Sequence, residues 1–442
     1  MATRQQWLWM AFVLVMLGLI IVALARSGLP FGSPSNERKP VVLEKPLVVA
    51  STGLPSVGTG SCSARGCHGA IEPNLDCEHC GQNEYLLWTQ DRHADAYRVL
   101  FNERSQTIAK HLGGQKKAHE DSRCLACHTN PTLATLPLDN PSVQEEKRFG
   151  VGCESCHGNA NSWLVAHTAS DWPTKKRASS MPDLSDTSVA ARTCAGCHVG
   201  AAPDKDVPAR DVNHDLIAAG HPRLNFEFSA YHANMPAHWR SKKKSDGHPW
   251  AVGQIVSAQA SLELLTHRAQ SGPLPEFAEY DCFACHRSLS SQQGDRRKSK
   301  PGTLPWGSWY FALTRELAGE LLALDALENT MQTPLPSRPK AAVQAKAAMR
   351  ELQKLVVPTE AMARQRIVDR FRSGAMSLDP TWDRAEQLYL ALHALSPSEG
   401  LSQLAFERAF APGFDGPLAW PYKGRSAFQP NRFLEKLRKL PR

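Results

Sequence analysis

Apolar positions are spread unevenly along the 442-residue chain. Trp7 to Ala25, "WLWMAFVLVMLGLIIVALA", is 19 residues without a charge, enough for a helix of about 28 Å that would cross a hydrocarbon layer. Secretory signals carry shorter apolar cores of roughly 7 to 15 residues, so an uncleaved signal-anchor or transmembrane helix is expected over residues 1–25. Ala23-Leu24-Ala25 keeps a cleaved signal as the alternative. Arg4 and Arg26 flank the segment on opposite sides, so charge leaves its orientation open. Residues 26–60, with "SGLPFGSPSNERKP" and "STGLPSVGTGS", are rich in Gly, Pro and Ser and read as a tether.

The middle, residues 61–295, shows modest apolar periodicity broken by many loop signals. One helical stretch there, "LLWTQDRHADAYRVL", places Trp88, Tyr97 and Leu100 on related faces around His93. From residue 296 the character changes. Trp306, Trp309, Leu313, Leu317, Leu321 and Leu324 recur at helical spacing, Ala341 to Val357 is alanine-rich, and Asp379-Pro380 starts a helix with Trp382, Ala385, Leu388, Tyr389 and Leu392 on one face. Residues 296–442 are therefore expected to form three or four packed helices. The fold class is mainly α.

Composition supports a folded body, with 42% hydrophobic and 21% charged residues. The formal net charge is +8, but no basic block interleaved with aromatics appears and Lys242 to Asp246 is a short loop-like run, so a nucleic-acid partner is not expected. Cysteine changes the picture. All twelve lie between Cys62 and Cys285, and eight form four copies of one pattern: Cys124, Cys127 and His128; Cys153, Cys156 and His157; Cys194, Cys197 and His198; Cys282, Cys285 and His286. C-x-x-C-H is the signature of covalent haem c attachment. Two thiols add across the porphyrin vinyl groups, and the next residue then offers its imidazole to the iron. Zinc ribbons need no His after the second Cys, and a thioredoxin-like pair occurs once in a strand-helix context that is missing here.

Cys62, Cys67 and His68 keep the same order with a wider gap, "CSARGCH", and are assigned a fifth haem site on the expectation that the loop between the thiols bulges, with a small Cys62–Cys67 disulfide loop and a surface His68 as the other reading. Cys77 and Cys80 in "CEHCG" are followed by Gly81, so no ligand is in place. A local disulfide or a zinc site recruiting His79 are the readings left for that pair.

Five proximal histidines call for partners, because electron-transfer haems usually carry two strong axial ligands. Of the twelve remaining histidines, eleven lie between His79 and His267. His93, His119, His167, His221 and His238 rank first as distal ligands, with His111, His214, His232, His248 and His267 in reserve. His393, inside a C-terminal helical pattern, reads as structural or exposed.

The repeated motifs, "W-x-x-x-x-H-A" at Trp88 to Ala94, and "CESCHG" with a downstream His resemble the multihaem cytochrome c family typified by the tetrahaem electron carrier of ammonia-oxidising bacteria. The resemblance covers roughly residues 60 to 290. It implies a domain of short helices and loops packed around closely stacked, mostly bis-His haems, with His93, His119 and His167 as distal ligands and electron transfer as the role. The wide-gap motif, the extra cysteine pair, the N-terminal helix and the long C-terminal region depart from it.

The expectation is thus a membrane-anchored cytochrome on the periplasmic side, carrying five haems c and exchanging electrons with redox partner proteins. The C-terminal helices would cap the haem region, a docking face being the other reading. Each bis-His haem with ionised propionates brings about −1 oxidised and about −2 reduced, so five would take the net charge from +8 to about +3 or about −2. The rival is a catalytic multihaem oxidoreductase for small nitrogen or sulfur compounds, which needs one iron with an open position. No C-x-x-C-K variant is present.

Overall fold

Helices supply the regular structure, and among the described residues β-pairing is limited to isolated bridges such as Ala201 with Arg210 and Tyr280 with Trp306. The computed structural model describes residues 56–71, 83–137, 139–176, 179–205, 207–236, 247–282, 285–286, 303–307, 309–374, 376 and 382–395. The expected membrane helix, the tether up to residue 55, the Cys77–Cys80 pair, His238 and the Asp379-Pro380 start lie outside them. Among the described residues no helix is long and apolar enough to cross a membrane.

The first half is built from short pieces: α1 (Glu84–Trp88), α2 (Glu103–His111), α3 (Ser122–His128), α4 (Pro141–Lys147), α5 (Cys153–His157), α6 (Trp172–Lys175), α7 (Thr187–His198), α8 (His214–Ala218) and α9 (Phe228–Ala233). Side-chain caps start several of them. Asp121 receives the Arg123 N–H at the start of α3, and Asp186 receives those of Ser188 and Val189 at the start of α7. In each of α3, α5 and α7 the Cys-x-x-Cys-His run forms the last turn and the histidine ends the helix.

The second half contains α10 (Gly247–Ser271), α11 (Thr314–Ala318), α12 (Leu322–Met331), α13 (Arg338–Gln353), α14 (Glu360–Arg364), α15 (Arg370–Arg372) and α16 (Trp382–Leu395). The 25-residue α10 departs from the short elements expected before residue 295. It packs against α13, α7, α14 and α16, and its faces feed three apolar clusters. Trp250 and Ile255 meet Trp309, Leu313, Ile367 and Leu388; Leu262 and Leu265 meet Leu324, Ala341 and Ala345; Val252 and Val256 meet Ala191, Ala195 and Phe226. α10 is buried on most of its faces, with Gln254, Gln259 and Arg268 among its buried residues, and is the axis of this interior.

The apolar run from Trp306 to Leu324 is not one helix. Gly319 adopts φ +88°, a left-handed conformation that ends α11, and α12 starts afresh at Leu322. The alanine-rich segment forms α13, whose Ala341, Ala345 and Ala348 are fully buried. Small side chains there let α13 lie close to α10. Ala385, Leu388, Tyr389 and Leu392 of α16 are buried, as their spacing predicts.

Candidate cofactor sites

The site is a set of imidazole pairs, each joining a motif histidine to one distant in sequence. His68 faces His167 with ring centroids 6.3 Å apart, His93 faces His198 at 5.9 Å, His128 faces His221 at 6.5 Å, and His214 faces His286 at 6.3 Å. Two imidazoles bound on opposite sides of one metal place their ring centres about 6.2 Å apart, from about 2.0 Å of metal–nitrogen bond and about 1.1 Å from nitrogen to ring centre on each side. All four pairs have the spacing that an iron between the rings requires. The planes differ: 16° and 27° apart for His68/His167 and His214/His286, 77° and 90° for His93/His198 and His128/His221.

The other ring nitrogen is held in place at most of these histidines. Nδ1 of His68 lies 3.1 Å from Glu84 Oε2, that of His93 3.1 Å from Asp91 Oδ1, that of His128 2.7 Å from the Ala96 carbonyl and that of His221 2.8 Å from the Pro222 carbonyl. His167 uses the carbonyl of Leu164. An Nδ1–H donated to a carboxylate or carbonyl leaves Nε2 as the free lone pair, the arrangement that metal-ligating histidines use. A ligand imidazole must also be neutral. Burial pushes His198 and His221 down to about 4 and lowers His128. These rings keep a neutral lone pair throughout the physiological range.

Local sequence explains the placement. His93 sits in a run of turns rather than in a continuous helix, with the Asp91 carboxylate accepting both its backbone N–H at 3.0 Å and its ring. Gly150, at φ +64°, lets the chain pass against that turn. A Cβ there would lie 2.5 Å from the His93 carbonyl, which accepts the Val151 N–H at 3.0 Å. His214 opens α8, capped by Asn213, with its backbone N–H donated to Glu276 Oε1 at 2.7 Å. His221 follows the same helix, so one short element carries two of the rings that face motif histidines.

The motif cysteines draw the motifs together. Cys62 and Cys153 are within thiol hydrogen-bonding range of each other, as are Cys127 and Cys197. Two buried carboxylates fix the first contact. Glu154 accepts the N–H groups of Val57 (3.1 Å), Gly58 (2.9 Å) and Ala160 (2.7 Å), and Glu146 accepts the N–H and hydroxyl of Thr59, both at 2.9 Å. Ala64 to Cys67 form an exposed bulge, so the extra residues of the wide-gap motif loop outward. Burial pushes Cys124 and Cys156 up to about 11 and Cys194 to about 12. These thiols are protonated.

Of the five distal histidines ranked first in the sequence, His93, His167 and His221 lie opposite motif histidines. His119 does not. Its ring stacks on Phe101 at 4.1 Å, and its buried Nδ1 has no hydrogen-bond partner among the described residues. His238 lies outside the described residues. His214 stood in the reserve and is paired with His286. The available signal was the seven-residue interval to His221, which sets two imidazoles at the two ends of a short helix.

Four such imidazole spans, each with a thiol pair beside one ring, suit covalently attached haem. Among curated proteins and among solved structures nothing matches this chain. Residues 76–158, which carry His93 and the Cys124 and Cys153 motifs, match the family model described as cytochrome c554 and c-prime. That match supports a c-type cytochrome with haem c as its cofactor and electron transfer as its role.

Proposed function

We propose that this protein is a multihaem c-type cytochrome tethered by its N-terminal helix to the cytoplasmic membrane, on the periplasmic side, passing electrons between redox partner proteins through mostly bis-His haems. The observation that carries the reading is the set of imidazole pairs with ring centres 5.9 to 6.5 Å apart. In each, one histidine directly follows a thiol pair. Haem would be held at Cys62/Cys67, Cys124/Cys127, Cys153/Cys156, Cys194/Cys197 and Cys282/Cys285, and would supply one-electron chemistry at iron.

The protein's own share is to orient and to shield. Glu84, Asp91 and the carbonyls of Ala96, Leu164 and Pro222 hold the rings, while Phe226 and Tyr231 wall in His198 at 5.3 and 5.1 Å. The apolar clusters also support the reading. Among the described residues between 56 and 236 one cluster, built around Leu100 and Leu125, is wholly contained, and the large ones gather on α10. A first half so poor in side-chain core suits interior space taken by porphyrin.

The test is the haem-to-polypeptide ratio of full-length protein matured in a host with haem c attachment machinery, by pyridine haemochrome absorbance and intact mass. Five haems are expected, in the membrane fraction. Colourless protein would overturn the reading, and four haems with an unmodified Cys62/Cys67 pair would remove the wide-gap site.

A further inference from the structure

We propose that the buried pair Arg223–Asp383 is a positioning element that sets the electron affinity of the Cys282/Cys285/His286 centre, so that C-terminal helix α16 belongs to the redox machinery and is more than a cover. This rests on the haem reading above. Arg223 donates from Nη1 to Asp383 Oδ2 at 2.8 Å and reaches Cys282 Sγ at 3.8 Å with the same nitrogen. The side chains of Arg223 and Asp383 are 9% and 2% exposed, so neither charge is relaxed by bulk water. Asp383 is the one carboxylate in an ion pair with Arg223 among the described residues. It comes from the first turn of α16, where the helix N-terminus favours an anion.

The consequence is electrostatic. Reduction adds one electron from a redox partner protein to the centre and lowers its charge by one, with no bond formed or broken and no proton placed. A fixed guanidinium against an attachment sulfur favours the reduced state, and at low local dielectric its influence is large. The carboxylate held by the same guanidinium nitrogen offsets that field. The balance between them, with arginine the group in contact with the sulfur, sets the affinity. The contact spans three segments far apart in sequence, the α8 loop, the last cysteine motif and α16, so the fold has brought a charge pair to an attachment site.

The experiment is a spectroelectrochemical titration of the full-length haem-loaded protein, its Asp383→Asn variant and an Arg223→Met/Asp383→Leu double variant that removes both charges of the pair. The His214→Ala variant, which loses the distal ring opposite His286, marks which component belongs to this centre. Asp383→Asn is expected to favour reduction of that component about tenfold, 59 mV upward for one electron, with the other components unmoved. The double variant should move it the opposite way, and it carries the test if the single variant does not accumulate. With five haems still bound, midpoints unchanged within twofold in the variants, or a shift on a different component, overturn the proposal. A ratio of four haems with Cys282 and Cys285 unmodified instead refutes the haem reading of this centre, so the two failures are distinct.

Discussion

Removing the charge of Arg268 should release one cofactor site while leaving the others formed. Arg268 lies near the end of α10 with its side chain 6% exposed. It donates from Nε to Asp211 Oδ2 at 3.0 Å, from Nη2 to Asp211 Oδ1, and from Nη1 to Glu279 Oε1 at 2.6 Å. Asp211 stands three residues before His214, and Glu279 three before Cys282. Glu279 also accepts the Trp306 indole N–H at 2.7 Å. One guanidinium therefore ties both halves of the His214/His286 centre to the central helix. In Arg268→Met the apolar stem stays packed, but two carboxylates lose their counter-charge. Breaking a buried pair by removing one partner costs about 3–5 kcal/mol. Glu279, at 8% side-chain exposure, should bear most of it, since Asp211, at 16%, reaches more water. That is a large part of the roughly 5–15 kcal/mol that holds a typical domain together. The assay is thermal unfolding of the full-length haem-loaded protein followed by absorbance, with electron paramagnetic resonance of the low-spin irons. The variant should unfold earlier by an amount matching this loss and lack one low-spin component. Arg268→Lys, which keeps the charge and loses the fork, should fall between. An Arg268→Met protein with unchanged unfolding and all low-spin components intact would refute the reasoning.

Two further outcomes follow from the geometry. Burial, with Glu154 and Glu145 adding to it, pushes Glu146 up to about 7 from its ordinary 4.5; because the folded value is the higher one for this acid, stability falls as pH rises from about 4.5 through 7, by about 3 kcal/mol at most. Glu146→Gln keeps an acceptor for Thr59 and should remove this slope, so that urea midpoints measured at pH 5 and pH 8 differ less in the variant than in the parent; equal slopes would contradict the burial of an ionisable group there. The ring planes predict two classes of ferric low-spin signal: near-parallel rings at His68/His167 and His214/His286 split the iron π-orbitals along one direction, giving rhombic spectra, whereas near-perpendicular rings at His93/His198 and His128/His221 cancel that splitting and give strongly anisotropic ones. His93→Ala should delete an anisotropic signal and His167→Ala a rhombic one; the reverse pattern would contradict the ring geometry.

The chain alone determined everything that depends on neighbours in sequence. Thiols three positions apart with an imidazole next to the second define an attachment chemistry locally, so the candidate proximal histidines His128, His157, His198 and His286 could be named from the sequence, as could the wide-gap Cys62 and Cys67 pair. The amphipathic face of α16 and the alanine face of α13 were legible for the same reason: a period of 3.6 residues needs no knowledge of the partner. What only the tertiary structure decided was pairing across long separations. Nothing local distinguishes His214 from His119 as the ring that ends up opposite a motif histidine. One is turned toward His286 by Asn213 and Glu276, and the other is stacked on Phe101. The helix α10 was hidden because it is buried on most faces with polar and apolar residues mixed along it, which erases the period that reveals a surface helix, and Gly319 broke a run whose spacing predicted continuity. Likewise Arg223 is an ordinary arginine in the sequence, and only the fold buries it with Asp383 and Cys282 against one guanidinium nitrogen.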